Sequence, residues 1–307
     1  MDPESYDWET MLQRLEEVGL EGFDGDFEKY DAKLMPELMQ RAMSNVSDFY
    51  DLYVDTLSFD FGRGCKFTFG REVCRQIREI IVDELIHPRQ LVLNVLYMSH
   101  QGNPSGNLMT TPMNSKCNDY LGRIGFYGVY SRHMVKKLQL EVTKWFLEVG
   151  LYAKHVRNMA YGDDNGYSVS PEMKEIFNFE TYSKFLAEFG ITYTAADKSD
   201  TVIPYKPLNQ LRFLKRGTAD WGWIRVPTID VETIQEMINW VRADNEQMKI
   251  EQSYVNIEGA MRFAYFHGRA YFNDLKSKVN GALIDAGHVP VSHSWDLFDY
   301  DFKNRVS

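Results

Sequence analysis

Two acids stand side by side at a turn in the stretch Met159-Ala160-Tyr161-Gly162-Asp163-Asp164-Asn165-Gly166-Tyr167-Ser168-Val169. Apolar and polar residues alternate on both sides of that turn, the pattern of a β-hairpin with carboxylates at its tip. Adjacent carboxylates repel one another and add nothing to folding, so a compensating cation is the natural physical explanation. A hard divalent ion such as Mg²⁺ takes oxygen ligands of this kind. A solvated acidic turn is the competing reading of these residues taken alone.

A chain of 307 residues can bury a sizeable core and predicts two or three subdomains. Hydrophobic residues at 44% and charged residues at 25% suit a soluble globular protein. No apolar run reaches the roughly 18 residues a membrane span needs, so no transmembrane segment is expected. The acidic start, Met1 to Asp7, argues against a secretory or transit peptide. Cys65, Cys74 and Cys117 show no CxxC pairing, which predicts a reduced, cytosolic protein without a zinc site or disulfide framework. A net charge of −10 weighs mildly against nucleic-acid binding, unless the basic surface is local or lies on another part of the protein.

Upstream of the acidic turn, residues 6–19 carry Tyr6, Trp8, Met11, Leu12, Leu15 and Val18 at helical spacing. Phe23 to Asp31 then reads as a short strand leading into a turn, where Asp26 can point towards the hairpin tip and Asp31 returns near the same pocket. Asp-x4-Asp is also compatible with a solvated loop. Pro36 opens an amphipathic helix through Leu38, Met39, Met43 and Val46. Residues 47–100 read as a mixed α/β insertion, with strands at 67–70 and 91–97 and a helix over 75–85. Gly102, Pro104 and Gly106 make a flexible loop, and Ser105 is a candidate cap for the following helix. Thr110 and Asn114, four residues apart, share one face of that helix, which suits hydrogen bonding to a sugar hydroxyl or simply a hydrated side.

Further helices are expected from Val135 to Gly150, with Leu138, Val142, Trp145 and Val149 as a packing stripe, and over 180–189. Residues 191–194 and 211–217 read as strands, the latter with Lys215 and Arg216 exposed at its end. From about Val226 onwards the chain reads as mainly helical.

The order of these pieces resembles the RNA-dependent RNA polymerases of picornavirus-like positive-strand RNA viruses, with the dicistrovirus, iflavirus and marine picorna-like branch most similar. Asp26-x4-Asp31 resembles the family's motif A, and Ser105-Gly106-x3-Thr110-x3-Asn114 its motif B. Tyr161-Gly162-Asp163-Asp164 resembles motif C, Ala196-Asp197-Lys198-Ser199 the end of motif D, and Phe213-Leu214-Lys215-Arg216 motif E. Each alone is a modest signal; five in order over residues 23–217 are highly specific.

The resemblance implies an α+β right-hand polymerase fold: a palm (residues 1–46 and 101–217) with an antiparallel sheet and helices on one face. A partial fingers insertion (47–100) and a helical thumb (218–307) complete it, with most N-terminal fingers missing, as in a fragment of a polyprotein product. It implies two Mg²⁺ or Mn²⁺ ions held by Asp26 and Asp163 with Asp164 assisting, clamping an in-line phosphoryl transfer. Asp31, Ser105, Gly106, Thr110 and Asn114 would recognise the ribose of a ribonucleoside triphosphate, and Lys198 would protonate the leaving pyrophosphate. Lys215 and Arg216 would meet the primer backbone of an RNA template–primer duplex.

Viral replication proteins as partners, and membrane-associated replication complexes in the host cytoplasm, are implied by the family alone. Two other readings share parts of the pattern. A reverse transcriptase-like polymerase has a similar acidic hairpin, and a non-catalytic RNA-binding palm fragment would bind without reacting.

Overall fold

A computed structural model describes residues 5–54, 56–103, 106, 109–140, 146–196, 202–242 and 244–306. The chain opens with α1 (Asp7–Glu16) and β1 (Glu21–Phe27), turns through α2 (Tyr30–Lys33) and enters α3 (Pro36–Tyr53). An excursion follows, made of the hairpin β2 (Thr56–Asp60) and β3 (Lys66–Gly70), helix α4 (Arg71–Ile86) and the hairpin β4 (Arg89–Val92) and β5 (Val95–Met98). Next come α5 (Thr110–Leu138), α6 (Leu151–His155), β6 (Val156–Tyr161), β7 (Asp164–Val169), α7 (Phe179–Ala187) and β8 (Tyr193–Thr194). The last third holds β9 (Lys206–Pro207), the hairpin β10 (Gly217–Asp220) and β11 (Arg225–Thr228), then α8 (Val231–Asn239), α9 (Glu246–Tyr265), α10 (Arg269–Asp285) and α11 (Trp295–Val306). These elements form two compact units, residues 22–205 and residues 1–21 with 206–307.

In the 22–205 unit the strands run in the order β6-β7-β1-β8, with antiparallel pairing in β6–β7 and in β1–β8. Alternation along β1 and β7 sends Phe23, Phe27, Tyr167 and Val169 to one face, where all four are buried. Helices cover that face. Leu38, Met39, Ala42 and Met43 of α3, Met113, Cys117, Leu121 and Phe126 of α5, and Tyr182, Phe185 and Leu186 of α7 share one core with the strand residues. Full burial of such side chains contributes roughly 1.5–3 kcal/mol each. Asn178 starts α7 with a capping box, its side chain accepting from the Thr181 amide at 3.1 Å.

The 29-residue α5 is the central helix of this layer, and it approaches its neighbours closely. A methyl group at Gly122 would lie 2.7 Å from the Tyr167 ring, at Gly125 2.2 Å from Tyr182, and at Gly128 2.1 Å from Phe185. Three glycines a helical turn apart would weaken an isolated helix, but here the aromatic rings fill the space that side chains would occupy.

Some sequence expectations are corrected. The helix placed from Val135 to Gly150 ends at Leu138, where Gln139 takes the left-handed conformation at φ 54°. Leu138 and Val149 of the expected stripe are exposed, and Val142 and Trp145 lie outside the described residues. The single strand over 91–97 is instead the hairpin β4–β5, turning at Leu93 and Asn94. Residues 211–216 form a tight turn rather than a strand: Phe213 and Arg216 exchange both backbone hydrogen bonds at 3.0 Å, with Leu214 and Lys215 at φ 53° and 57°. Val226 belongs to β11, and the helices begin at Val231.

The other unit has its own core. Ile224, Val226, Ile234, Met261, Phe272 and Phe302 are buried together in it, from β11, α8, α9, α10 and α11. Helix α1 buries Trp8, Leu12 and Leu15, and Trp8 Nε1 donates to Thr218 Oγ1 of β10 at 3.2 Å. Arg225 binds Glu9 at 2.7 Å and also pairs with Glu16, which holds α1 against β11. Those carboxylates hold the Arg225 guanidinium protonated well above its ordinary range, and Arg225 in turn lowers the pKa of Glu9.

Candidate active site

The tip of the β6–β7 hairpin is a two-residue loop, Gly162-Asp163, closed by the pair Tyr161 and Asp164. Gly162 sits at φ +64°, a conformation that a side chain disfavours and that lets so short a loop reverse the chain. Asp163 is exposed at the apex, and Asp164, half-buried, is the first residue of β7. Alternation puts Asp164 on the sheet face opposite Tyr167 and Val169, and Asp26 on the face of β1 opposite Phe23 and Phe27. Since β1 and β7 are neighbours, Asp26 and the acidic tip belong to the same side of the sheet, away from the helices.

Asp31 leaves the strand axis. Lys29 turns the backbone at φ 56° and α2 begins, so Asp31 is exposed on that helix and reaches α5. Asn114, buried in the second turn of α5, donates from Nδ2 to Asp31 Oδ1 at 2.5 Å. Two further bonds hold Asn114, one at its side chain and one at its main chain. Asn103 Nδ2 donates to Asn114 Oδ1 at 2.8 Å, and the Tyr30 hydroxyl donates to the Asn114 carbonyl at 2.9 Å.

The 101–103 segment is tied to α2 as well: the Asn103 amide donates to the Asp31 carbonyl at 2.7 Å and the Gly102 amide to Leu34 at 2.9 Å. Gly102 is required here, because at φ +85° its place for a methyl group lies 2.6 Å from the Asp31 carbonyl oxygen. Burial holds the Tyr30 phenol protonated, well above its usual range, with Cys117, Tyr167, Asp163 and Asp31 adding to the shift. Tyr193, buried beneath β1, is raised in the same way and donates to Asn165 Oδ1 at 2.5 Å. Both therefore act as neutral donors beneath the acids. Cys117, also on α5, has its thiol pushed up to about 12 by burial, which makes it an unreactive core residue.

Of the other residues singled out from sequence, Thr110 is the first residue of α5, one turn before Asn114, and Gly106 is exposed at φ +96°. Ser105 and Lys198 lie outside the described residues. Lys215 is exposed in the Phe213–Arg216 turn of the other unit, whereas Arg216 is half-buried with its guanidinium 5.1 Å from the centre of the Phe263 ring. The expectation of two exposed bases therefore holds for Lys215 and is corrected for Arg216.

Sequence reasoning missed Asn103, Ser115 and Asn118, whose partners are mostly backbone atoms far along the chain. It also missed Asp24, a buried acid two residues before Asp26 on the same face of β1. The period-two pattern of β1 could have signalled Asp24; no periodicity marks the others.

Among the described residues no group of three or more acids, histidines and cysteines closes around one point. A Mg²⁺ ion does not require one, since it keeps several waters and is bound through one or two carboxylates. The oxygen donors of Asp26, Asp163 and Asp164, on one side of adjacent strands, fit such an ion.

The profile of viral RNA-dependent RNA polymerases matches residues 1–283. The chain is 29% identical over 288 residues to the genome polyprotein of rice tungro spherical virus (strain Vt6), covering 92% of this chain and 8% of that polyprotein. It is 28% identical over 279 residues to the replicase polyprotein of acute bee paralysis virus (strain Rothamsted), covering 90% and 13% respectively. The chain thus spans a small part of these relatives' length. Its fold superimposes on the Sicinivirus 3Dpol RNA-dependent RNA polymerase with a TM-score of 0.73 at 16% identity, over 99% of this chain and 55% of that one. With the acidic hairpin, the Asp31–Asn114 pair and a family match over nearly the whole length, the chain belongs to the viral RNA-dependent RNA polymerases.

Proposed function

We propose that this chain carries the catalytic centre of an RNA-directed RNA polymerase that adds ribonucleotides to a primer 3′ end on an RNA template. The observation that carries the reading is the Asn114–Asp31 hydrogen bond, on the same helix that abuts the acidic hairpin. A 2′-hydroxyl distinguishes RNA precursors from DNA precursors, and a carboxylate beside an amide offers it both an acceptor and a donor. That pair favours ribonucleotides over the deoxynucleotides a reverse transcriptase would take.

Asp26 and Asp163, with Asp164 assisting, would hold two Mg²⁺ or Mn²⁺ ions. Such ions, when bound, activate the 3′-hydroxyl and neutralise charge on the transferring phosphoryl group. Ser105, Gly106 and Thr110 would line the sugar and phosphate side of the incoming nucleotide with Asn114. Lys198 would give its proton to the pyrophosphate oxygen as that group leaves. Lys215 would meet the primer backbone, and Arg216, with its guanidinium over Phe263, would brace the turn that presents it. Viral replication proteins at membrane-associated complexes of the host cytoplasm are the proposed setting.

Primer extension on an RNA template tests this reading, comparing polymerase that contains this segment with its Asp163→Ala variant. Loss of a carboxylate that binds the ions should lower extension by about 10³-fold or more. Equal extension by both proteins would show that the hairpin is not the site.

A further inference from the structure

Asn118 lies one turn beyond Asn114 on α5 and is fully buried, at 0% exposure. Its Nδ2 faces three consecutive backbone carbonyls of the acidic tip: Gly162 at 3.1 Å, Asp163 at 3.1 Å and Asp164 at 3.4 Å. A second side chain of the same helix grips the tip from its other polar group. The Gly162 amide donates to Ser115 Oγ at 2.8 Å, while that hydroxyl donates to the Thr111 carbonyl at 2.7 Å. Asn165 adds a bond within the hairpin, from its Nδ2 to the Asp163 carbonyl at 3.1 Å.

Three carbonyl dipoles converging on one point repel unless a donor sits between them, and they sit directly behind two adjacent carboxylates. A tip held only by its own two-residue loop would relieve that repulsion by rotating its peptide planes, which would turn the carboxylates with them. The amide of Asn118 removes the reason to rotate. The opposite amide orientation would place Oδ1 against the three carbonyl oxygens, so the donor orientation is the one electrostatics allows. It leaves Oδ1 buried with no hydrogen-bond partner among the described residues, which is unfavourable for folding. An apolar side chain of similar volume would avoid that cost, so the contribution of an asparagine here is its contact with the tip.

We propose that Asn118, together with Ser115, is a positioning residue for the acidic hairpin, holding the Gly162–Asp164 backbone so that Asp163 and Asp164 are set before a divalent cation arrives. The inference rests on the polymerase reading of those carboxylates and goes beyond it by assigning how they are pre-organised. It also joins the two halves of the site. Asn114 and Asn118 are four residues apart on one helix face, the first bonded to Asp31 and the second to the acidic tip. One rigid helix start therefore sets the distance between ribose recognition and the acids.

The test is titration of Mn²⁺ into the full 307-residue chain, following the free-ion electron paramagnetic resonance signal, with thermal melting to show that each variant is folded. Asp163→Ala serves as the reference for loss of a ligand. Asn118→Leu keeps the volume and removes the donor, and should weaken Mn²⁺ binding about tenfold, the effect typical of losing an outer hydrogen bond behind a metal ligand. Ser115→Ala should weaken it in the same direction, and Ser115→Thr, which keeps the hydroxyl, should restore it.

A folded Asn118→Leu with unchanged affinity, alongside a weakened Asp163→Ala, overturns the inference and leaves the polymerase reading intact. Unchanged affinity in Asp163→Ala overturns both. If Asn118→Leu does not fold, the serine pair decides: weakening by alanine with recovery by threonine supports the proposal, and equal binding by both overturns it.

Discussion

The hairpins β4–β5 and β6–β7 are built alike and embedded oppositely. Each reverses through a two-residue loop whose first residue is left-handed, Leu93 at φ 53° in one and Gly162 at φ +64° in the other. In β6–β7 the strands lie in a sheet over a helical layer, and Tyr167 at their centre is 0% exposed. In β4–β5, Leu91, Val92, Val95, Leu96 and Tyr97 are all exposed, and Leu93 is 90% exposed. Ladder hydrogen bonds alone do not fix a hairpin in water. What separates the two is the aromatic packing under β7 and the bonds from Asn118 and Ser115 to the loop, so positional accuracy at the acids comes from α5 and not from the strands.

The sharpest way to break this contrast is to remove one side chain from each hairpin. Tyr167→Ala deletes a fully buried ring stacked 4.9 Å from Phe23, and should destabilise the unit by about 3–5 kcal/mol in urea unfolding. Leu96→Ala in the exposed hairpin should stay within about 0.5 kcal/mol. Comparable losses at both positions would mean that the exposed hairpin carries unit stability as well.

A smaller, pH-dependent effect is expected at the foot of β6–β7. His155 Nδ1 lies 2.8 Å from Ser170 Oγ, and the Ser170 amide donates to the His155 carbonyl at 2.9 Å, closing the hairpin base. Burial lowers the His155 pKa below its ordinary 6.5, Lys154 adds to this, and Glu172 and Glu148 oppose it. The folded state thus binds the proton less readily than the unfolded state. Stability is undiminished well above pH 6.5, falls as pH drops through 6.5, and levels off below the folded-state value. Unfolding curves at about pH 7.5 and about pH 5.5 should show this loss, and His155→Gln should reduce the difference. An unaltered difference in that variant would assign the slope to other groups.

The smallest effect is expected at the loop of β4–β5. A left-handed leucine costs about 1–2 kcal/mol, and glycine relieves it while adding about 0.5–1 kcal/mol of chain entropy to be lost on folding. Leu93→Gly should therefore stabilise the chain by roughly 0.5 kcal/mol in the same unfolding measurement. Destabilisation would show that the leucine side chain packs on something in solution.

The two hairpins also mark where sequence is readable. Gly-Asp-Asp-Asn-Gly between alternating residues announces the β6–β7 tip, because glycine and short polar residues are what such loops accept. Asp26 and Asp31 were legible through a strand that ends in a turn. Leu93 gives no such signal, nor do Leu214 and Lys215, which are left-handed although none of the three is a residue type that favours that conformation. The extent of α5 has no simple sequence signal either: Gly122, Gly125 and Gly128 disfavour a helix by propensity, and only the rings of Tyr167, Tyr182 and Phe185 beside them account for their presence. Asn103 and Asn118 escaped because a lone asparagine bonded to distant carbonyls has no period and no fixed spacing.

The glycine face of α5 has a consequence at the level of the gene. Every glycine codon begins GG, and no change at its first or second base leaves a glycine. At Gly122, Gly125 and Gly128 each such change, where it does not end the chain, adds atoms where a ring already stands. Only third-base changes are silent there. A genome copied with errors would then show these three codons drifting at the third base alone, a nucleotide-level record of how closely one helix approaches three aromatic rings.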